Sequence, residues 1–318
     1  MMRKLEEFVN EKRLKWQKDE PMSRHTTLQI GGPAKMLIEV GEEETLIKLL
    51  EKIDTQEKFM VIGEGSDLLV SDKGYKGVVI VNRVEGIKKE NTHFQVKAGT
   101  SLADFIDFVN RSGCQGIESM AGIPGTVGGA IYGNAGAYGQ ATCDHLISVK
   151  FFKEGKVVSW KKRGLKFSYR GSIFKRNKGW IILSATFMFP KGVASELCLK
   201  SKEIVAIRAR KYPQGVKCPG SFFKNVLLKD VPAESLRKIP EDKIIFGKIP
   251  SGYLMQSVGA NGARKGRVEI AGYHGNLIIN LGGGQAKDFI HLADFYRDKV
   301  EKKFGIKLEP EVQLIGFD

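Results

Sequence analysis

The stretch "GIPGTVGGAIYGNAGAYG", residues 122–139, decides how this chain is interpreted. Seven of its 18 residues are glycine, and most of the others are small or apolar. Flexible linkers are rich in glycine and serine and are polar, whereas this run contains Ile123, Pro124, Val127 and Ile131. Glycine allows a main chain to approach its neighbours closely. The run therefore predicts an ordered turn system that packs against something large and flat.

Length and composition indicate an ordered globular protein of two or three domains. The chain has 318 residues, of which 42% are apolar, and it contains no apolar run long enough to span a bilayer. Its N-terminus predicts an amphipathic helix without a signal-peptide core. The four cysteines are far apart and form no C-x-x-C pair, which argues against structural zinc and disulfides. We therefore expect a cytoplasmic protein with no metal site and no membrane partner.

The positive charge is concentrated in one segment. The net charge is +15, and residues 150–229 contain 20 Lys and Arg against three acidic residues. Such a segment indicates anionic partners. It carries no zinc-finger spacing and no RNP-type aromatic strand, so nucleic acid is not expected. A solvated basic surface is one alternative, and a pocket for phosphorylated small molecules is the interpretation we prefer.

Hydrophobic periodicity predicts an α+β chain. A β-α-β start is followed by further strands and a helix before the glycine-rich run, and by strands near 145–152, 156–160 and 180–189. A helix over about 194–211 is broken by "YPQGVKCPG". We place the domain boundary there, which predicts domains 1–212 and 213–318. The later region has helices at "SGYLMQSVG" and "QAKDFIHLADFYRDKVEKKFG" and a strand at "PEVQLIGF".

A second glycine-containing segment, "GEGSDLLV", covers residues 63–70. It lacks the third glycine of a dinucleotide-binding fingerprint and is not followed by a helical pattern, so a Rossmann site is not expected. Successive main-chain N–H groups can still bind phosphate oxygens without such a helix. Gly63, Gly65 and Ser66 are candidates for one part of a pyrophosphate. Two tight turns that pack against each other remain an alternative.

Within the glycine-rich run, Gly125, Gly128 and Gly129 would bring main-chain amides to the other side of the same ligand. The isoalloxazine ring or the ribityl chain of a flavin would then lie on the loop.

Six motifs in order resemble UDP-N-acetylenolpyruvoylglucosamine reductases over about residues 20–316. They are "HTTLQIGGPA" (25–34), "GEGSDLLV", "GIPGTVGGAIYGNAGAYG", "SYRGSIFK" (168–175), "GSFFKN" (220–225) and "FGIKLEPEV" (304–312). The resemblance implies a flavoenzyme of bacterial wall synthesis that completes UDP-N-acetylmuramic acid. The spacing between "SYRGSIFK" and "GSFFKN" leaves no room for a long insertion and resembles the family's shorter subtype, type II.

The resemblance also implies a fold and a cofactor. The fold would be an FAD-binding domain of the vanillyl-alcohol-oxidase or PCMH type, with two subdomains and an N-terminal helix, followed by a C-terminal α/β substrate domain. FAD would be bound non-covalently, and NADPH would be the reductant. The implied cofactor-binding residues are Gly63, Glu64, Gly65, Ser66, Asp67, Gly122, Ile123, Pro124, Gly125, Gly128, Gly129, Asn134, Gly136 and Ala137. Glu64, Asp67, Pro219 and Val226 depart from the residues usual in the family.

Reduction of an enolpyruvyl ether needs a hydride at the methylene carbon and a proton at the carbon that bears the carboxylate. Negative charge develops between these steps, so hydrogen-bond donors aimed at it matter most. The resemblance implies that Arg170 holds the carboxylate, that Glu311 stabilises the enolic form, and that Ser221 delivers the proton as general acid. The implied substrate-binding residues are Tyr169, Lys211, Lys224 and Asn225.

Each of the three catalytic candidates also has an ordinary structural explanation. Arg170 would be a surface or phosphate contact, Ser221 part of a turn, and Glu311 a solvated strand edge. Their order and spacing together favour the catalytic interpretation.

Three alternative functions remain. The first is an FAD-dependent oxidase of a sugar or hydroxy acid, which the "GSFFKN" and "LEPEV" motifs disfavour. The second is a basic nucleic-acid-binding module with purely structural glycine loops. The third is a flavoprotein that retains FAD without activity. We expect a monomeric enzyme.

Overall fold

A computed structural model describes residues 2–53 and 57–317 of the chain. Its α-helices are α1 (Met2–Glu11), α2 (Glu43–Lys52), α3 (Leu102–Arg111), α4 (Val127–Gly133), α5 (Ile173–Arg176), α6 (Ala194–Lys211), α7 (Ala233–Leu236), α8 (Ser251–Gln256) and α9 (Ala286–Phe304). Its strands are β1 (Lys15–Pro21), β2 (Pro33–Val40), β3 (Phe59–Ile62), β4 (Leu68–Val70), β5 (Tyr75–Asn82), β6 (Ile87–Glu90), β7 (His93–Lys97), β8 (Gly136–Ala137), β9 (Gln140–Ala141), β10 (Leu146–Lys153), β11 (Lys156–Lys161), β12 (Ile181–Met188), β13 (Val226–Leu227), β14 (Lys248–Ile249), β15 (Arg264–Lys265), β16 (Val268–Ile270), β17 (Ile278–Asn280) and β18 (Gln313–Ile315).

The chain divides into two compact units. The first contains the residues up to Glu20 together with Ala34–Glu64 and Lys76–Arg210. The second contains Pro21–Pro33, Gly65–Tyr75 and the chain from Lys211 onwards. The mixture of helical and sheet layers in both units confirms the α+β class.

The first unit is built on two sheets. One has the strand order β1-β2-β5-β3, in which β3 and β5 are parallel. The other is antiparallel, with the order β11-β10-β12-β7-β6. Apolar side chains of α1 and α2 pack on the first sheet, and those of α3 and α4 pack on the second. The second sheet and its helices enclose an aromatic core that includes Phe94, Phe105 and Phe187, all less than 2% exposed.

The second unit is built around α9. The buried face of this helix packs with α8 and with the antiparallel sheet β15-β16-β17. Helix α9 ends at Gly305, whose φ of 70° is left-handed and is readily adopted by glycine. Strand β18 then pairs in parallel with β4, with Gln313 opposite Leu68.

This parallel pair links one early segment to the second unit, and a hydrogen bond from Asn280 links another. The predicted first domain treats residues 1–212 as continuous, whereas Pro21–Pro33 and Gly65–Tyr75 lie in the second unit. Their partners are more than 200 residues away: the side chain of Asn280 donates to the carbonyl oxygen of Leu28 at 3.0 Å. Local sequence patterns carry no information about such pairings.

Most predicted elements are confirmed. Helices α2, α3, α6, α8 and α9 and strands β2, β3, β5, β7, β10, β11 and β12 lie where periodicity places them. The glycine-rich run differs in one respect, because it contains a helix as well as turns. Thr126 begins α4 by accepting a hydrogen bond from the Gly129 amide, and Asn134 ends it with a φ of 45°.

Candidate active site

In the first unit, the turn at Gly63–Glu64 packs directly against the glycine-rich run. A Cβ atom at Gly63 would lie only 2.3 Å from Oγ1 of Thr126, so a larger residue would separate the two segments. The amide of Gly125 donates a 2.9 Å hydrogen bond to Oε2 of Glu64. Close packing of turns, one of the two interpretations left open by the glycines, is therefore part of the structure.

The amides of the glycine-rich run have protein acceptors. Gly128 donates to the carbonyl oxygen of Ala98 at 2.8 Å, and Gly129 donates to Oγ1 of Thr126 at 3.3 Å. With the Gly125–Glu64 bond, all three amides expected to reach the ligand from its other side are bonded within the protein. A glycine is required at position 128 by packing, because an added Cβ would lie 2.9 Å from the Cβ of Ala98.

The run is also partly exposed to solvent. Gly122, Pro124 and Gly129 are exposed. At Gly129 an added Cβ would meet only Oγ1 of Thr126, at an ordinary contact distance of 3.6 Å. This surface is suited to a flat ligand that lies against the loop and makes contact through its face.

Asn134 connects the glycine-rich run to the segment that carries Arg170. Its Nδ2 donates to the carbonyl oxygen of Ser168 at 2.9 Å, and its Oδ1 accepts from the Cys143 amide at 3.1 Å. Ser172 donates through Oγ to the carbonyl oxygen of Tyr132 in α4 at 2.7 Å. The "SYRGSIFK" turn is therefore attached to α4 on both sides of Arg170.

Within this turn, Arg170 adopts an unusual main-chain conformation. Its φ is 53°, which costs a residue with a side chain about 1–2 kcal/mol. Ser168 and Gly171 exchange main-chain hydrogen bonds of 3.0 and 3.1 Å across the turn and hold it closed. The guanidinium carbon lies 5.5 Å from the centre of the Tyr169 ring. Strain of this kind is common at functional sites.

Glu118 is a residue of this region that the sequence motifs missed. Its side chain is 5% exposed and accepts hydrogen bonds from Nζ of Lys200 at 2.7 Å, Nε2 of Gln140 at 3.0 Å and the Gly116 amide at 2.7 Å. Burial alone would raise its pKa, but these donors outweigh burial and lower the pKa to about 2. The one feature of the sequence that could have indicated Glu118 is that it is a lone acid in the stretch of small and apolar residues just before the glycine-rich run.

In the second unit, main-chain pairing brings Ser221 and Glu311 onto neighbouring segments. The Glu311 amide donates to the carbonyl oxygen of Phe222 at 2.7 Å, and Phe223 forms a bridge with Pro310. Ser221 forms a bridge with Leu277 on its other side. Both side chains are half-buried. Two of the three catalytic candidates, 90 residues apart in sequence, are thus adjacent in the fold.

The implied substrate-binding residues Lys224 and Asn225 continue the same segment. Nζ of Lys224 lies 2.9 Å from Oε2 of Glu309, and its carbonyl oxygen accepts a hydrogen bond from the Ser251 hydroxyl. Oδ1 of Asn225 accepts from the Ser251 amide at 3.2 Å. The first turn of α8 therefore sets the orientation of both residues.

Lys211 lies near Tyr212 and acts electrostatically on His274 in the second unit. The Lys211 ammonium lies 5.4 Å from the centre of the Tyr212 ring. Burial and the positive charge of Lys211 lower the pKa of His274 to about 4, so this imidazole is neutral at physiological pH.

Three of the predicted cofactor-binding residues, Gly65, Ser66 and Asp67, also lie in the second unit. A Cβ at Gly65 would be 2.0 Å from the His25 carbonyl oxygen.

Residues 2–53 and 57–317 contain no group of three or more His, Cys, Asp or Glu side chains able to hold a metal ion. Within those same ranges, none of the helices combines the length and hydropathy that a bilayer span requires.

Two protein-family models match the chain and define its class. A family model described as an FAD-binding domain matches residues 34–160, and a second model matches residues 212–315. The chain is therefore a flavoprotein. The second model describes the C-terminal domain of UDP-N-acetylenolpyruvoylglucosamine reductase.

Full-length relatives extend this result to the whole chain. The UDP-N-acetylenolpyruvoylglucosamine reductase of Solibacter usitatus is 38% identical over 297 residues, covering 93% of this chain and 95% of that protein. The reductase of Rubrobacter xylanophilus is 33% identical, with 94% of each chain covered. The crystal structure of the reductase from Thermus caldophilus aligns with a TM-score of 0.74 at 30% identity, over 95% of this chain and 99% of that one. The chain belongs to the UDP-N-acetylenolpyruvoylglucosamine reductase family.

The residues of the first unit fit a bound FAD. The exposed main chain at Gly129 leaves room where a side chain would otherwise stand, and Gly122 and Pro124 are exposed beside it in the run. Gly129→Ala tests this fit. We expect it to weaken FAD binding roughly tenfold or more, because overpacking a close contact costs about 1–3 kcal/mol. Thermal stability of the apoprotein should not fall, since alanine favours a helix and its Cβ has space.

Gly133→Ala is the matched control for this substitution. Gly133 lies in the same helix, and a Cβ there would meet nothing within 4 Å. FAD titration of both apoproteins by flavin fluorescence should separate them. Equal affinities would show that the flavin does not contact Gly129.

Proposed function

We propose that the chain catalyses the NADPH-dependent reduction of UDP-N-acetylglucosamine enolpyruvate to UDP-N-acetylmuramate, a step of peptidoglycan precursor synthesis. FAD, when bound non-covalently, supplies the hydride that it receives from NADPH. The observation that carries the proposal is the pairing of the Ser221 and Glu311 segments in a chain of this family. Family membership favours this reaction over the oxidase and nucleic-acid alternatives.

In the first unit, Arg170 binds the substrate carboxylate. A guanidinium offers a planar pair of donors that matches a carboxylate. The strained turn holds its main chain in one conformation, because both flanks are bonded to the glycine-rich region. The same positive charge stabilises the enolate that develops when hydride reaches the methylene carbon.

In the second unit, Ser221 transfers its proton to the carbon that bears the carboxylate. A hydroxyl is a weak acid, so this transfer requires a strongly basic enolate and close geometry. Glu311 holds or shares a proton beside the enolic oxygen and so stabilises that form. Main-chain hydrogen bonds on both sides of Ser221 reduce the freedom of the segment and favour a fixed geometry.

Lys211, Lys224 and Asn225 bind the uridine diphosphate, and Tyr169 contacts the substrate or the flavin. Ammonium groups attract a diphosphate, and the basic segment that contains them raises the local concentration of anionic ligands. The contacts of Lys224 and Asn225 with Ser251 and Glu309 support a preformed site, since they order both side chains before a ligand arrives.

Absorbance spectroscopy tests the proposal. Under anaerobic conditions we expect flavin bands that bleach on addition of NADPH and recover on addition of the enolpyruvyl sugar nucleotide. UDP-N-acetylglucosamine, which lacks the enolpyruvyl group, is the control and should not restore the bands. Recovery only with oxygen would indicate an oxidase. A protein that binds no flavin would contradict the proposal altogether.

The proposal includes a cytoplasmic location and a monomeric state. The four cysteines are free thiols, which is consistent with a reducing compartment. Light scattering of the FAD-loaded protein, with and without substrate, measures the oligomeric state.

A further inference from the structure

Tyr212 lies directly beside the proposed proton donor. The two hydroxyl oxygens, that of Tyr212 and Oγ of Ser221, are 3.1 Å apart, which is within hydrogen-bond distance. Both side chains are half-buried in the second unit. None of the six sequence motifs contains Tyr212, which begins the helix-breaking segment "YPQGVKCPG".

Packing holds the tyrosine ring in place. Tyr212 packs against a small buried cluster formed by Cys218, Ala271 and Leu277. Leu277 is also the residue that forms a main-chain bridge with Ser221. The ring packs against the cluster that contains Leu277, and the serine is bridged to Leu277 itself, which keeps their hydroxyl groups together.

The chemistry of the two hydroxyls favours one direction for the hydrogen bond. A phenol is a stronger acid than an aliphatic alcohol and is the better donor. If Tyr212 donates to Oγ of Ser221, the single proton of the serine stays available for a different acceptor. If the serine donated to the tyrosine instead, its proton would be aimed away from the substrate.

We propose that Tyr212 is a positioning residue and proton relay for Ser221. This inference rests on the proposed function, in which Ser221 protonates the substrate. As the new C–H bond forms, the Ser221 O–H bond breaks, and the serine oxygen takes the proton of Tyr212. The phenolate then takes a proton from water. One proton passes from solvent to product, and no electrons are exchanged in the relay.

The surrounding charges suit this role. The Lys211 ammonium, 5.4 Å from the Tyr212 ring centre, stabilises a transient phenolate. Other titratable groups around the cluster include His274, Cys218 and Tyr273, and the Glu269 carboxylate acts electrostatically on Tyr273. Burial and Lys211 lower the pKa of His274 to about 4, and burial raises the pKa of the Cys218 thiol, so both are neutral near pH 7. They therefore add no negative charge that would oppose the phenolate.

Tyr212→Phe tests the inference because it removes only the hydroxyl. In stopped-flow experiments on the FAD-loaded protein, reduction by NADPH should proceed at the unaltered rate. Reoxidation by the enolpyruvyl sugar nucleotide should slow about 10- to 100-fold, less than the roughly 10²- to 10⁴-fold of a direct proton donor, because Ser221 keeps its own proton. The pH profile of reoxidation should lose the alkaline limb that ionisation of a phenol produces.

Three measurements do not depend on turnover. The affinity of the oxidised protein for the substrate and the thermal midpoint of the apoprotein should both stay near their original values, since the ring and its packing remain. A spectrophotometric titration of the apoprotein should lose one tyrosinate signal. Tyr273→Phe is the matched control, because this tyrosine borders the same cluster but is 55% exposed, and its reoxidation rate and pH profile should be unchanged.

The combination with Ser221→Ala separates this inference from the proposed function. In a Ser221→Ala background, Tyr212→Phe should cause no further slowing. Additive slowing, or a Tyr212→Phe protein that reoxidises at the original rate with an unaltered pH profile, would overturn the relay. A Ser221→Ala protein that reoxidises normally would instead overturn the role of Ser221 in the proposed function.

Discussion

Ser221→Ala is expected to leave flavin reduction by NADPH intact and to slow reoxidation by the enolpyruvyl sugar nucleotide about 10²- to 10⁴-fold. The substitution removes the proton donor but alters neither main-chain bridge of the segment, because the bonds to Leu277 and Glu311 involve main-chain atoms. Substrate binding should therefore be retained. Single-turnover absorbance measurements follow the two half-reactions separately.

Ser221→Cys is the conservative comparison for this experiment. A thiol is larger than a hydroxyl but keeps a transferable proton, so reoxidation should be faster than in Ser221→Ala. A Ser221→Ala protein that recovers its flavin bands at the original rate would remove this residue from the mechanism. Slowing of both half-reactions would indicate a disturbed fold instead.

Glu118→Ala is expected to cost about 2–3 kcal/mol of unfolding free energy, because partly buried donors lose their acceptor and each such group costs about 1–3 kcal/mol. It leaves the Gly116 amide, the Gln140 amide group and the Lys200 ammonium without their acceptor. FAD affinity should fall as well. Glu118 ties α6 and the β8–β9 hairpin to the chain entering the glycine-rich run, and those ties position the run. Denaturant unfolding and FAD titration measure the two effects.

Glu43→Ala is the matched control. The Glu43 carboxylate is also bound by two lysines, Lys97 and Lys150, but it is 16% exposed and lies at the start of α2. Its loss should cost less, on the order of 1 kcal/mol, because water replaces the lost contacts. FAD affinity should be unchanged. Equal loss of FAD affinity in both variants would contradict a specific role for Glu118.

The low pKa of Glu118 also predicts a pH dependence. The carboxyl has a pKa of about 2 when folded and 4.5 as its ordinary value, so the folded state binds fewer protons between these values. Its stabilising contribution is fully present above pH 4.5 and is lost as the pH falls towards 2. Glu118→Gln should therefore weaken the acid dependence of unfolding in this window.

Much of the fold could be predicted because its long elements have strong periodicity. Helices α2, α3 and α9 place apolar residues on one face, and strand β5 is an almost continuous apolar run. The site was harder to predict. The glycine-rich run indicated close approach correctly, but its amides at Gly125 and Gly128 bond to the protein itself. Whether a glycine amide faces a ligand or a carbonyl oxygen depends on the neighbouring strand, which local sequence does not reveal.

The sequence by itself determined the α+β class, the main helices and strands, the family and the candidate residues Arg170, Ser221 and Glu311. These follow from short-range periodicity and from ordered motifs, which are properties of neighbouring residues. Only the tertiary structure decided that early segments join the second unit, that Glu118 anchors the glycine-rich run and that Tyr212 meets Ser221. These depend on contacts between distant segments, whose geometry is set by packing and not by sequence spacing.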